Sequence, residues 1–159
     1  MSEFDLFVLA RSVHVVAIVL WIGGVTFITT VLLPALNKMA EKEQRVLLFE
    51  QLEHKFAWHA KVATVVTGVS GFYMLDFLNA WQRYQDIQFW WLHLMTFVWF
   101  IFTLVLFVLE PLFLHRWFIE HAKKDCDKTF SLLQRMHYFL LSLSLMAVFG
   151  AVLGSHGYL

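Results

Sequence analysis

Four long apolar stretches, separated by charged segments, dominate the chain. Their apolar residues lie in runs, without the spacing of a helix that buries only one face. A helix rising about 1.5 Å per residue needs about 20 apolar residues to cross the hydrocarbon layer of a membrane. All four stretches reach that length, and they cover residues 6–33, 56–78, 89–113 and 130–153. The pattern predicts one all-α domain, residues 1–159, built as a four-helix transmembrane bundle in up-down-up-down order.

The composition agrees with a membrane protein and narrows its chemistry. Of the 159 residues, 60% are hydrophobic and 15% are charged, which is unusually apolar for a soluble domain. The formal net charge is zero, so no basic surface predicts binding to nucleic acid. Cys126 is the only cysteine, which excludes a disulfide framework and a C-x-x-C-H attachment of covalent haem. The first apolar stretch is too long for a signal-peptide core, so we expect it to remain in the protein.

The charges between the stretches predict the orientation in the lipid bilayer. Spans that alternate in direction place both termini and the loop between the second and third spans on one face. That face carries only Arg11 and Arg83, whereas the opposite face carries ten lysines and arginines. Positive residues collect on the cytoplasmic side, so we expect both termini outside, and a bacterial inner membrane as the location. Residues 37–54 have apolar side chains at helical spacing among charges, which predicts an amphipathic segment at the membrane surface.

One histidine lies near the start of each apolar stretch: His14, His59, His93 and His137. Alternating directions place the first and third near the outer face and the other two near the inner face, roughly 20 Å apart by helix rise. Diagonal helices of such a bundle lie about 14 Å apart, which leaves room for an iron between two imidazoles. We therefore predict two b-type haems, one held by His14 and His93 and one by His59 and His137. Taken singly, each histidine is better explained as an interfacial or hydrogen-bonded side chain, and only the four together favour haem.

Small and basic residues complete the predicted haem sites. Close approach of a porphyrin needs small residues on the helices that do not ligate it, and ordinary helix packing explains any one such glycine equally well. The candidates are Gly24, Gly68, Gly71 and Gly150. Arg11 lies one turn before His14, where it would pair with a haem propionate or extend to the lipid headgroups. Glu110, followed by proline, is a candidate for proton exchange with a quinone or a charge reaching the interface.

Two short motifs carry a family resemblance. His14 is followed by Trp-Ile-Gly-Gly at residues 21–24, and the third stretch contains Trp-Leu-His at residues 91–93. The chain resembles the HemJ/CopD group of small four-helix membrane proteins over most of its length, which implies that His14 and His93 bind haem or metal. HemJ-type members are implicated in protoporphyrinogen oxidation and bind haem b, and CopD-type members are named for copper uptake or resistance. HemJ-type sequences place a lysine where this chain has Met95, which weakens the expectation of HemJ activity.

The combined pattern predicts a dihaem b-type membrane cytochrome. Such a protein would act as a quinone-linked oxidoreductase that exchanges electrons with the quinone pool at one face and with a redox partner protein at the other. A copper-transport protein is the main alternative, because thioether and imidazole groups suit Cu(I) and the chain contains Met95, Met136 and Met146. A HemJ-like protoporphyrinogen oxidase is the third interpretation.

Overall fold

The computed structural model describes residues 2–157, which form four long helical segments joined by short connections. They are α1 (Glu3–Asn37), α2 (Lys42–Phe77), α3 (Ile87–Lys124) and α4 (Cys126–Ser155). No β-strand occurs between residues 2 and 157. The prediction of an all-α protein is therefore confirmed.

Two of the segments change helical type near a proline. In α1 a π-helical turn, Ile28–Leu32, precedes Pro34, and in α3 a π-helical run, Val105–Leu114, contains Pro111. Proline has no N–H and its ring crowds the carbonyl four residues earlier, so a wider turn relieves the clash. Both segments remain continuous through these turns, and each extends beyond the apolar stretch seen in the sequence.

Polar groups fix the helix ends. The Ser2 hydroxyl accepts the Asp5 N–H at 3.2 Å, and the Asp5 carboxylate accepts the Ser2 N–H at 2.8 Å, a capping box at the start of α1. Asp125 accepts a backbone N–H from the first turn of α4. Between α2 and α3 the chain passes through Asn79, whose φ is 48°, and a 3-10 helix, Ala80–Gln85. Asparagine is among the few residues that tolerate this left-handed conformation.

Side-chain contacts show that α1 is antiparallel to α2 and α3 to α4. Phe7, near the start of α1, stacks on Phe77 at the end of α2, with ring centroids 4.7 Å apart. Phe118, near the end of α3, packs edge-on against Phe130 near the start of α4, at 5.6 Å. Short connections favour antiparallel neighbours, so these contacts follow from the chain lengths between the helices.

Buried apolar side chains form two clusters. The larger draws on all four segments and contains Trp21, Ile22, Val25, Ala60, Ala63, Val98, Phe102, Leu106, Leu141 and Ala147. The second lies near the end of α1, the first part of α2, the end of α3 and the start of α4. It contains Ile28, Leu33, Leu36, Phe49, Phe118, Ala122, Cys126 and Phe130. Many other large apolar side chains are exposed, among them Leu20, Val69 and Phe149. So much exposed apolar surface is what a lipid-facing protein presents.

Three of the four segments, α1, α3 and α4, are long and apolar enough to cross a membrane, which identifies an integral membrane protein. The sequence predicted four spans, but α2 is not among the candidates within residues 2–157. It begins at Lys42 rather than at residue 56, so most of the predicted surface segment is the first part of the same helix. Its apolar part also contains Lys61 and Asp76, which lower its mean hydropathy.

Candidate functional site

His14 lies at the interface between α1 and α2 and is hydrogen-bonded across it. Its Nδ1 is 3.0 Å from the carbonyl oxygen of Thr67 and 3.0 Å from the hydroxyl oxygen of Ser70. A carbonyl oxygen can only accept, so Nδ1 carries the proton and donates it to Thr67. In the neutral ring, Nε2 then has the lone pair that a metal requires. A carbonyl acceptor on the other ring nitrogen is the usual support of a metal-ligating histidine.

This support distinguishes His14 from the other hydrogen-bonded histidines. His59, His121, His137 and His156 each place Nδ1 2.8 to 2.9 Å from the carbonyl four residues earlier in the same helix. Such a bond fixes a ring only relative to its own helix. Within residues 2–157, His14 is the only histidine whose hydrogen bonds reach a neighbouring helix, so its ring is fixed relative to the protein interior.

His93, the predicted partner of His14, is half-buried on α3. Its ring packs edge-on against Tyr84, with ring centroids 5.5 Å apart. The Tyr84 hydroxyl lies 2.6 Å from the hydroxyl of Thr96, one turn further along α3, which holds the phenol over the imidazole. No hydrogen bond or ring contact joins His93 to His14 in the described part of the chain. Their pairing on one iron stays a prediction.

The other charged or ionisable residues of the predicted sites differ in burial. His59 is exposed on α2, His137 is half-buried on α4, and no contact between residues 2 and 157 joins the two rings. Their pairing also stays a prediction. Arg11 is exposed, and it forms no ion pair with another residue of that range. Its position suits a propionate partner and a headgroup contact equally.

Two of the four glycines predicted to face a porphyrin, Gly24 and Gly68, are covered by aromatic rings of neighbouring helices. A Cβ atom at Gly24 would collide with the ring of Phe56. At Gly68 the Cβ would lie 2.7 Å from the indole of Trp99, which also donates its N–H to a carbonyl of α2 at 2.9 Å. These glycines therefore serve helix packing.

The other two predicted glycines have different neighbours. A Cβ at Gly150 would lie 2.6 Å from the Trp90 indole, so this glycine also makes room for an aromatic ring. At Gly71 the neighbour is His14 itself, whose Cε1 would lie 3.1 Å from the added Cβ. Gly71 thus lets α1 and α2 approach closely enough for the imidazole to reach its acceptor on α2.

The chemistry of His14 fits a haem ligand, whereas aromatic rings cover three of the four glycines predicted to face a porphyrin. Haem iron binds a neutral imidazole nitrogen, and His14 presents one at a position fixed by two helices. A groove of about 500 Å³ with an almost wholly apolar lining runs between α1 and α2 beside Ser70. A porphyrin lying against Gly24, Gly68 or Gly150 would have to displace the aromatic rings that cover them. The residues fit an imidazole-ligated group at His14, provided those rings move when it binds.

An ion pair joins α2 to α3 and was not foreseen from the sequence. Lys61 Nζ lies 2.7 Å from Glu110 Oε2, and the two side chains are 26% and 19% exposed. Nearby, burial and then the charge of Glu110 raise the pKa of Glu53, while His115, His54 and Lys61 oppose the shift. The sequence had singled out Glu110 alone. The signal for its partner was a second isolated charge in the neighbouring apolar stretch.

No group of three or more His, Cys, Asp and Glu side chains placed to hold a metal ion occurs in the described range. An iron between two histidines does not require such a group. Comparisons of the chain with protein-family models, curated proteins and solved structures find no match. The function is therefore argued from the site, because a helical fold alone does not imply one.

Proposed function

We propose that the protein is a b-type membrane cytochrome that carries electrons between the two faces of the bilayer. The observation that supports this most strongly is His14, whose Nδ1 is hydrogen-bonded to α2 and whose Nε2 keeps its lone pair. In this proposal His14 and His93 hold one haem b near the outer face, and His59 and His137 hold a second near the inner face. Bound haem would supply one-electron transfer, with a potential tuned by its ligands and burial.

The proposal requires all four helical segments to cross the membrane, with both termini outside. Three segments are apolar enough on their own. For α2, the polar side chains Thr64, Thr67 and Ser70 are all buried, so they face the protein rather than lipid. The lysines and arginines of the two longer loops support a cytoplasmic location for those loops and a bacterial inner membrane as the host.

The residues around His14 would hold the ligand in one tautomer and one orientation. Thr67 presents a backbone carbonyl, which belongs to a helix and cannot rotate away as a side chain can. The Ser70 hydroxyl lies at the same distance from Nδ1, so the ring has two neighbours on α2. Outer neighbours of this kind set ligand basicity and ring orientation, and their loss typically costs 10–100-fold in metal affinity.

The natural partners of such a cytochrome are quinones, lipids and a redox protein. We propose that the quinone pool exchanges electrons with the haem at one face and a redox partner protein with the haem at the other, which makes the chain a quinone-linked oxidoreductase. Glu110, paired with Lys61 at 2.7 Å, is a carboxylate placed among apolar residues of α3 and is suited to exchange protons with a quinol.

Haem and metal analysis of protein purified in detergent tests the proposal. We expect a low-spin bis-imidazole spectrum that dithionite reduces, with about two haems per chain because there are two predicted ligand pairs. One haem per chain would restrict the proposal to a single pair. A colourless protein that retains copper would contradict it and favour the copper-transport interpretation.

A further inference from the structure

Two threonines of α2 lack the hydrogen bond that the other threonines make. Threonine in a helix usually donates its hydroxyl to the carbonyl four residues earlier. Six of the eight do so: Thr26, Thr29, Thr30, Thr96, Thr103 and Thr129. Thr64 and Thr67 are 1% and 6% exposed, yet their hydroxyls have no partner within residues 2–157. An unpaired hydroxyl in an apolar interior is costly, so both hydroxyls indicate a bound polar molecule beside them.

The indole N–H of Trp21 is a third buried group without a partner in the described range. Trp21 is 3% exposed and packs in the same cluster as Ala60 and Ala63 of α2. Three buried polar atoms on neighbouring helices, each without a partner within residues 2–157, favour water, which pairs with two to four such groups.

These threonines belong to a longer polar row on α2. Lys61, Thr64, Thr67 and Ser70 follow at every third residue. Side chains spaced by three lie about 5–6 Å apart at Cβ. One water bridging two hydroxyls spans nearly the same distance, since each O–H···O bond is about 2.7–2.8 Å long. A single water between successive members would therefore make the row continuous.

Both ends of the row are already connected by direct hydrogen bonds. At one end Lys61 pairs with Glu110 at 2.7 Å, and at the other the Ser70 hydroxyl lies 3.0 Å from Nδ1 of His14. A row spaced by three winds slowly around its helix, which explains why it meets α3 at one end and α1 at the other. From residue 61 to residue 70 it rises about 13 Å, close to half the hydrocarbon thickness.

We propose that this row is a water-bridged proton path from Glu110 towards the level of His14. A proton from the inner aqueous phase binds the Glu110 carboxylate, which passes it to a bridging water beside Thr64. Lys61 has no acceptor and only holds Glu110 in place. Each water or hydroxyl from Thr64 to Ser70 then accepts one proton and passes another on, and a water beside Ser70 releases a proton to the outer aqueous phase. Only O–H bonds form and break, and no electron moves. The inference rests on the proposed crossing of the membrane by α2 but not on haem.

Proton uptake by liposomes containing the protein tests the path. A trapped pH indicator reports flux driven by a potassium diffusion potential. We expect the wild type to exceed protein-free liposomes. The double variant Thr64→Val, Thr67→Val should lower the flux at least about tenfold, the change that a barrier increase of about 1.4 kcal/mol produces. Thr103→Val is the matched control, because that hydroxyl is satisfied within its own helix at 2.8 Å, and it should conduct like the wild type.

Two further variants, Glu110→Gln and Thr64→Ser, test the path if the valine variant does not fold. If the valine pair does not fold, as judged by its melting curve, Glu110→Gln replaces it and should show the same loss, whereas Thr64→Ser should retain the flux. A folded valine pair that conducts like the wild type would overturn the path, as would a wild type no faster than empty liposomes. Haem content measured on the same samples separates the proposals. Haem-loaded protein without flux refutes only the path, and haem-free protein with flux refutes only the cytochrome.

Discussion

Replacing Gly68 by alanine tests whether α2 and α3 pack as closely as described. The added Cβ would lie 2.7 Å from Cζ2 and 2.8 Å from Nε1 of the Trp99 indole, closer than real Cβ atoms come to a neighbour. The ring must therefore move. Because its N–H donates to the Thr64 carbonyl at 2.9 Å, the movement also weakens a hydrogen bond between the helices.

The expected change in the free energy of unfolding combines three contributions. Overpacking a well-packed interior costs about 1–3 kcal/mol. Loss of the indole hydrogen bond costs about 1 kcal/mol. Alanine is favoured over glycine in a helix by about 1 kcal/mol, which offsets part of this. Gly68→Ala should therefore destabilise the protein by about 1–3 kcal/mol, the sum of these terms.

Gly23→Ala is the matched control, since a Cβ at Gly23 meets nothing within 4 Å. It should leave stability unchanged or raise it by up to about 1 kcal/mol through helix propensity. Unfolding of both variants in detergent, followed by tryptophan fluorescence and by helical circular dichroism, measures the difference. If Gly68→Ala proved as stable as Gly23→Ala, the close packing of Trp99 on α2 would be refuted.

Two further predictions concern charges outside the apolar stretches. Burial and the charge of Glu110 raise the pKa of Glu53, so the stability present below its ordinary value of 4.5 is lost as pH rises through the folded value. Glu53→Gln should therefore melt higher than the wild type at neutral pH but not in acid, and equal melting at both would contradict this. Arg45→Ala should lower the melting temperature more than Lys42→Ala, because both pair with Asp127 but their side chains are 5% and 60% exposed. Equal losses in parallel melting curves would count against this ranking.

The helical class could be predicted from the sequence because apolar runs of this length have few alternatives. The start of α2 could not be predicted in the same way. Residues 42–55 are charged and amphipathic, and the sequence treats them as separate from the apolar run that follows. No proline lies between Lys42 and Phe77, and the helix continues through that whole range.

The direction in which each histidine side chain faces could not be predicted from the sequence. A helix that is apolar all round has no periodic pattern to mark its inner face. The depth in the membrane could be calculated from helix rise for His14 and His59 alike. In the structure, however, His14 is hydrogen-bonded to a neighbouring helix, whereas His59 is exposed. The glycine pattern indicated close approach, but it could not distinguish a porphyrin from the rings of Phe56 and Trp99, which occupy that space.

Electron paramagnetic resonance of the ferric protein tests the central claim, ligation of haem iron by His14, most directly. The wild type should show low-spin signals of bis-imidazole haem. In His14→Ala one of these signals should disappear or become high-spin, because one axial ligand is removed. His121→Ala, which changes an exposed histidine bonded to its own helix, should leave the spectrum unaltered. A His14→Ala spectrum identical to that of the wild type would contradict the account.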